Sequence, residues 1–177
     1  MRSLLKVLKE QSILCEIYDI EDKLENFNVG YIVDFDEENF IFESVSSDGR
    51  HDGFHCLEID TIAIIEYKTN YLQKIQKLMT ANNFTRIPLK LPEGKLIDAF
   101  LNYVKSLNRI CYIELLSDSD CYLYGYLTSL GADLFHINVI DNYGMADGCA
   151  LARIEDISYI AVDTEKTLQL KLIEGGE

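Results

Sequence analysis

The chain has 177 residues and a formal net charge of −14, from 16 Lys and Arg against 30 Asp and Glu. An apolar fraction of 48% with eleven tyrosines excludes a disordered chain. The acidic excess is −6 in residues 1–90 and −8 in residues 91–177, so both halves repel phosphate backbones and nucleic-acid binding is disfavoured. No run approaches the roughly 20 apolar residues that a membrane-spanning helix needs, so we expect no membrane partner.

The five cysteines, at 15, 56, 111, 121 and 149, form no Cys-x-x-Cys pair. The N-terminal apolar run is interrupted by Lys6, Lys9 and Glu10, and no small-residue cleavage site follows it. An odd, scattered set of cysteines without a signal peptide is typical of reduced thiols. We therefore expect a cytoplasmic protein.

The chain repeats itself at a spacing of 95 residues without a gap from about residue 30 to residue 69. Near the first strand the spacing becomes 96, where Cys15 meets Cys111, so one residue is missing from the first turn of the second copy. Matching glycines and a matching apolar phase together indicate a tandem duplication. The matched pairs include Gly30 with Gly125, Phe40 with Phe135, Gly49 with Gly144, Ile59 with Ile154 and Thr69 with Thr164.

Each copy opens with apolar residues at helical spacing, in "SLLKVLKEQ" and "LIDAFLNYVKSL", which predicts a helix. A short strand follows, "ILCEIYDI" or "ICYIELL", and then a long strand that carries the glycine, "FNVGYIVDF" or "CYLYGYLTSL". A third strand precedes the Asp-Gly-containing segments "SSDGRHDGF" and "DNYGMADGC". Two strands hinged at a polar pair, "FHCLEIDTIAIIEY" or "CALARIEDISYIAV", close each copy.

Glycines and Asp-Gly pairs shape this strand pattern. Asp52-Gly53 and Asp147-Gly148 predict hairpin turns, because aspartate and glycine tolerate positive φ. Gly30 and Gly125 stand where a strand must bend from one sheet into the other, with a plain β-bulge as the alternative. The fold class predicted is therefore mainly β with short helices, as two tandem five-stranded bent barrels, each closed and each preceded by an α-helix.

The segment between the copies begins as a helix, with Leu72, Ile75, Leu78 and Met79 on one face, and stops at Asn82-Asn83. Pro88 and Pro92 follow, as expected of an extended linker. We therefore assign residues 1–83 to the first domain, 84–92 to a linker and 93–177 to the second domain. The tail 167–174 alternates like a strand, whereas its repeat partner is helical, so either structure is open.

This order of elements resembles the Sm-like family, which includes the Sm and LSm proteins and the bacterial host-factor RNA chaperone. The likeness lies in "GYIVDFD", where Gly30, Ile32, Phe35 and Asp36 match the first Sm motif. The second copy keeps Gly125, Leu127 and Leu130 but has Gly131 in place of the aspartate. SH3-like barrels have the same strand pattern and remain the alternative.

The resemblance also implies where an RNA site would lie. The family's base-contacting Asn corresponds to Phe40 and His136, with Asn39 one residue early and so on the other face of its strand. The Arg-Gly dipeptide of the second motif is missing, and only Arg153 has a matching charge. Because these contacts are lost, the fold carries over but the RNA site does not. The binding positions named are Asp36, Asn39, Phe40, His136 and Arg153.

Tyr122, Tyr124 and Tyr126 alternate along one strand and so share one face. A base-stacking platform has such a face, but no cations flank these tyrosines. We expect them to pack in a core or an interface instead.

Three residues of "RHDGFHC" have side chains that bind zinc: His51, His55 and Cys56. The second copy has Ala146, Ala150 and Leu151 there, so the fold does not need metal ligands. Surface polar residues are the expected role, and a Cys56/His51 nucleophilic pair lacks an orienting third group. We predict no metal, no cofactor and no enzymatic activity.

The favoured function is a non-catalytic binding or assembly module. Barrels of this kind associate through exposed strand edges, and the closing strands "AIIEY" and "SYIAV" carry few charges. The partner would be a second copy of the chain or another protein, and a six-barrel ring of three chains is one possible outcome. The alternatives are an RNA-binding regulator with a relocated site and a metal-binding protein that uses the His51/His55 region.

Overall fold

The computed structural model describes residues 1–20, 27–116 and 118–174. The chain divides into two compact units, Met1–Lys90 and Leu91–Glu177. In the described residues each unit is mainly β, with five strands and two short α-helices. No helix in these residues is long and apolar enough to cross a bilayer.

The first unit contains five antiparallel strands in the order β5-β1-β2-β3-β4. The short 3₁₀ turn Ile59–Thr61 joins β4 to β5. Its elements are α1 (Arg2–Glu10), β1 (Cys15–Asp19), β2 (Asn28–Phe35), β3 (Asn39–Val45), β4 (His51–Glu58), β5 (Ile62–Tyr67) and α2 (Asn70–Ala81).

The second unit repeats this arrangement with the strand order β10-β6-β7-β8-β9. Its 3₁₀ turn, Ile154–Asp156, joins β9 to β10. The elements are α3 (Leu96–Leu107), β6 (Cys111–Leu115), β7 (Asp118–Leu130), β8 (Leu134–Ile140), β9 (Ala146–Arg153), β10 (Ile157–Val162) and α4 (Glu165–Glu174). The ambiguous tail 167–174 is therefore helical.

The prediction of closed barrels is wrong, because each unit forms an open five-stranded sheet in its described residues. In the first unit β5 pairs with β1 from Ile62 to Tyr67 and stands at the opposite end of the strand order from β4. The same holds for β10 and β9 in the second unit. After the 3₁₀ turn the last strand pairs with the first strand. The described residues contain no ladder between β4 and β5 or between β9 and β10.

Equivalent backbone hydrogen bonds show the duplication directly. The N–H of Ile20 donates to the carbonyl oxygen of Thr61 at 2.9 Å, and Leu116 donates to Asp156 at 2.8 Å. The hairpin between the third and fourth strands is held by Ser46 N–H to Arg50 O, and by Asp141 N–H to Met145 O. These bonds place the same turns at the same points of both units.

Gly30 and Gly125 are required by a close cross-strand approach. A Cβ built on Gly30 would overlap the carbonyl oxygen of Glu43, and one on Gly125 would overlap that of Asn138. The register shifts in β2 and β7 come two residues later, between Ile32 and Asp34 and between Leu127 and Ser129. A bend is expected at these glycines from the sequence, and the structure shows in addition that each glycine lies in close contact with the neighbouring strand.

The Asp-Gly pairs are not in hairpin turns, which corrects the prediction for both copies. Asp52-Gly53 lies within β4 and Asp147-Gly148 within β9. Gly53 and Gly148 have φ of 84° and 90°, beside register shifts opposite Glu43–Val45 and Asn138–Ile140. The positive φ therefore serves a β-bulge. The turns use Gly49 and Gly144 instead, with φ of 80° and 78°.

The helix that follows the fifth strand packs on the sheet in each unit. In the first, Leu72, Ile75 and Met79 of α2 form a core cluster with Leu14, Val29 and Val45. In the second, Leu170 of α4 packs with Ile110 and Ile140. α2 therefore covers the sheet beside β2 and β3, and α4 covers the sheet beside β8.

Candidate interaction surfaces

The first-unit residues named from the resemblance to the Sm motif lie at the turn between β2 and β3. One carboxylate oxygen of Asp36 accepts hydrogen bonds from the N–H groups of Glu38 at 2.9 Å and Asn39 at 2.8 Å. Asn39 and Phe40 are buried, and the Phe40 ring packs edge-on to Phe42. A base cannot stack on a ring that is already enclosed, so these residues serve the fold.

The two positions named in the second unit, His136 and Arg153, are exposed. His136 on β8 lies opposite Leu151 on β9, and Arg153 lies opposite Leu134. The Arg153 guanidinium donates to the Glu155 carboxylate at 2.9 Å. His136 and Arg153 therefore share one sheet face, and the charge of Arg153 is already paired.

The burial of the third and fourth strands differs between the units. In β3 all seven residues are buried, whereas in β8 burial alternates, with Leu134, His136 and Asn138 exposed. Most of β4 is buried and most of β9 is exposed. We call the β8–β9 side the open face; its residues are Leu134, His136, Asn138, Cys149, Leu151 and Arg153.

The segment after α2 is fastened to the first unit. The carboxylate of Glu43, which is completely buried, accepts a hydrogen bond from Arg86 Nε at 2.7 Å and another from the Ile87 N–H at 2.7 Å. The Arg86 guanidinium also lies 4.5 Å from the centre of the Tyr31 ring. Residues 84–87, which we call the strap, thus lie in the first unit, within the segment 84–92 that is expected from the sequence to be a linker.

The expectation that the residues considered for zinc are surface polar residues is wrong for His55 and Cys56, which are both buried. His55 is buried, and its Nε2–H donates to the carbonyl oxygen of Asp52 at 2.9 Å. Burial is the main reason that the pKa of His55 is lowered, so the ring stays neutral. His51 Nδ1 accepts from the Gly53 N–H at 3.2 Å, which leaves the proton on Nε2, 3.6 Å from the Glu43 carboxylate.

Cys56 follows His55 directly in β4, so the two side chains point to opposite faces of the strand. Burial raises the pKa of the Cys56 thiol well above its usual range, which opposes the thiolate that binds a metal. Across residues 1–20, 27–116 and 118–174, no group of three or more His, Cys, Asp or Glu side chains could hold a metal ion.

Of the two strands expected to offer exposed edges, "AIIEY" lies in β5 and is largely exposed. The expectation is wrong for "SYIAV", which lies in β10, where Ile160, Ala161 and Val162 are buried. In the second unit the exposed terminal strand is β9 instead. In the described residues β5 pairs only with β1 and β9 only with β8. On β5 the side chains of Ile64 and Tyr67 are 41% and 44% exposed, and on β9 that of Leu151 is 55% exposed. Each unit thus presents one exposed strand with apolar side chains at an end of its sheet.

The tyrosines of β7 form part of a larger aromatic cluster in the second unit. The Tyr112 ring lies 5.7 Å from Tyr122, 5.0 Å from Tyr124 and 5.6 Å from Tyr159, measured between ring centres. Tyr122 is 40% exposed, and the others are half-buried. The expectation of packing holds for Tyr124, which contacts the core of Ile110, Ile140 and Leu170. We call Tyr112, Tyr122, Tyr124 and Tyr159 the tyrosine cluster.

Neither the pairing of Glu43 with Arg86 nor the tyrosine cluster was predicted from the sequence. Glu43 falls between apolar residues in "FIFESV", and a charged residue within a buried strand signals a buried ion pair. Tyr112 and Tyr159 lie 47 residues apart in sequence, so strand pairing was needed to bring them together.

Comparison with known proteins identifies no relative. Neither a protein-family model, nor a curated protein, nor a solved structure matches this chain.

Proposed function

We propose that the protein is a non-catalytic binding and assembly module with an Sm-like fold, and that it associates through the edges of β5 and β9. The observation that carries this proposal is the exposure of one terminal strand in each unit, with Ile64 and Tyr67 on β5 and Leu151 on β9. An unpaired strand edge offers a row of backbone donors and acceptors that a second chain can complete.

The charges of the two strands favour such pairing. Glu66 is the only charged residue of β5, and β9 has one acidic and one basic residue, Asp147 and Arg153. Natural sheets protect free edges with lysines, prolines and inward-pointing charges, and these strands contain no lysine or proline. Their composition therefore fits a paired edge better than a protected one.

Pairing of β5 from one chain with β9 from the next is a heterologous contact, in which two different surfaces meet. Such contacts form a ring when the rotation closes. A ring of three chains would contain six units and leave no free β5 or β9 edge. The partner is therefore a second copy of the chain.

The test is the molar mass in solution as a function of protein concentration, measured by chromatography with light scattering. We expect the wild-type chain to form a discrete oligomer. Ile64→Lys on β5 and Leu151→Lys on β9 should each shift the mass towards the monomer, because a charge at the edge opposes burial.

Thr80→Lys is the matched control, since it adds the same charge at an exposed position of α2. It should leave the mass unchanged. A strict monomer at the highest concentration reached, or oligomers that are insensitive to both edge variants, would remove the proposal.

A further inference from the structure

A carboxylate lies within the tyrosine cluster. Glu114 on β6 stands opposite Tyr122 on β7 and opposite Tyr159 on β10, so it has a tyrosine on each side across the sheet. The hydroxyl of Tyr112 donates to Glu114 Oε2 at 3.0 Å. Directly opposed residues on neighbouring antiparallel strands have Cβ atoms about 5 Å apart, so the three side chains form one surface.

Glu114 has no cationic partner within the described part of the chain. Its Oε2 takes the Tyr112 hydroxyl, and its Oε1 has no hydrogen-bond donor among the described residues. Burial, and then the nearby Glu114, raise the pKa of Tyr112, so its phenol stays neutral and keeps donating. Within the described residues, one oxygen of this half-buried carboxylate therefore has the capacity to accept a further hydrogen bond.

In the first unit the hydroxyl and the carboxylate exchange places, because Glu16 takes the position of Tyr112 and the Tyr18 hydroxyl donates to Glu16 Oε2 at 3.3 Å. The position of Glu114 is taken by Tyr18, which stands opposite Ile64 and packs on Phe27 with ring centres 5.1 Å apart. There α2 supplies Tyr71, whose ring meets Phe27 edge-on at 5.3 Å. The equivalent of Tyr71 in α4 is Lys166, and α4 contains no aromatic residue to cover Tyr122.

We propose that the tyrosine cluster and Glu114 bind an arginine side chain presented by a basic partner protein. The guanidinium would donate to Glu114 Oε1 and lie against the ring of Tyr122, which is exposed. Aromatic rings attract cations placed over their faces, and a carboxylate flanked by rings adds a charge-assisted hydrogen bond.

The chemistry favours arginine and a protein partner. A guanidinium is planar, stacks on rings and is more weakly hydrated than an ammonium group, so it loses less on leaving water than lysine does. Residues 91–177 contain 6 basic and 14 acidic residues, which attracts a basic surface and repels nucleic acid. Tyrosine and arginine are also the residues that contribute most at protein interfaces.

The test uses the intact chain and a blocked hexapeptide that contains two arginines separated by glycine and serine. Binding is followed by NMR chemical-shift changes of the backbone amides. We expect saturable changes centred on Tyr112, Glu114, Tyr122 and Tyr159, and an affinity at least about threefold higher than that of the matching lysine peptide.

Two variants locate the site. Glu114→Gln and Tyr122→Ala should each weaken arginine-peptide binding about fivefold. Glu155→Gln removes an exposed carboxylate elsewhere in the unit and should change the affinity less than about twofold. Circular dichroism of each variant checks that the fold is intact, and Tyr122→Phe, which keeps the ring, should restore binding if Tyr122→Ala is unstable.

Three results would overturn the proposal: no saturable binding, shift changes away from the cluster, or equal losses for Glu114→Gln and Glu155→Gln. Equal affinity for the lysine peptide would show non-specific attraction to an acidic protein and would also reject it. These readouts do not depend on oligomer formation, so failure here leaves the assembly proposal standing.

Discussion

The third and fourth strands of the two units have the same backbone and opposite surroundings. Ile41 and Phe54 are buried in the first unit, whereas their equivalents, His136 and Cys149, are exposed in the second. Their inward neighbours, such as Phe40 and Phe135, are buried in both. After duplication, the inner face and the turns kept their chemistry, and the outer face diverged. The outer face is therefore where differences in function between the units are to be sought.

The largest expected effect comes from truncating the same outer-face position in both units. Phe54→Ala should lower the free energy of unfolding by about 3–5 kcal/mol, because it leaves a cavity in a packed region. Cys149→Ala should change it by less than about 0.5 kcal/mol, since the side chain is already in water. Urea denaturation followed by circular dichroism measures both, and equal effects would contradict the difference in burial.

The next prediction concerns a feature that both units share, the close cross-strand contact at Gly30 and Gly125. Gly30→Ala and Gly125→Ala should each destabilise the protein by about 3 kcal/mol, because the added methyl group overlaps a carbonyl oxygen of the adjacent strand. Gly131→Ala is the control, since its nearest atom would be 3.5 Å away. Thermal unfolding distinguishes them, and a neutral Gly30→Ala would show that the strands can separate without loss.

A smaller loss of stability is expected when the contact between Glu43 and the strap is weakened. Glu43→Gln keeps the size of the side chain but removes the charge that receives Arg86 Nε and the Ile87 N–H, which should cost about 2 kcal/mol. Trypsin should then cut faster after Arg86 than in the wild type.

Asn138→Gln at the equivalent exposed position of the second unit should alter neither stability nor cleavage. Unchanged cleavage after Arg86 in Glu43→Gln would mean that the strap is held by other contacts.

The last prediction concerns the cysteine thiols, which differ in their exposure. Cys149 should react with a thiol reagent well before Cys15, Cys56 and Cys111, which are buried. Burial raises the pKa of Cys15 and Cys111 from 9.0 to about 12, with Glu16 adding to the shift of Cys15. Each thiol therefore stabilises the fold below pH 9, and this contribution is lost as the pH rises towards 12.

Unfolding midpoints between pH 8 and 11 measure that loss, and a flat profile would contradict it. Mass spectrometry of the modified peptides gives the order of reaction. Early modification of Cys56 would show that β4 is as accessible as β9.

Much of the fold could be predicted from periodicity. The helix over residues 96–107, the strands on either side of Gly30 and Gly125, and the duplication itself follow from spacing that is local in sequence. The closed barrel could not be judged in this way, because alternation gives the face of a strand but not its partner. Gly53 and Gly148 were misplaced for a related reason, since a turn and a bulge both use positive φ.

The candidate surfaces were less predictable. His136 and Arg153 were named from motif positions, and the structure places them together on the open face. Glu114 was not named, because its neighbours Tyr122 and Tyr159 lie on two other strands, β7 and β10. Only the pairing of these strands with β6 brings the three residues together. Ile41 is buried, whereas its equivalent His136 is exposed. The burial of the outer face therefore depends on which residues pack against it, and the sequence of one strand does not contain that information.

The strap also decides where the first unit can be cut for separate study. A fragment that stops at residue 83 would contain every strand and helix of that unit but would leave the buried Glu43 carboxylate without Arg86 and the Ile87 N–H. An unpaired charge of this kind is expensive to keep out of water. A fragment that runs to Lys90 retains both donors. A fragment boundary chosen from the secondary structure alone would therefore be placed too early.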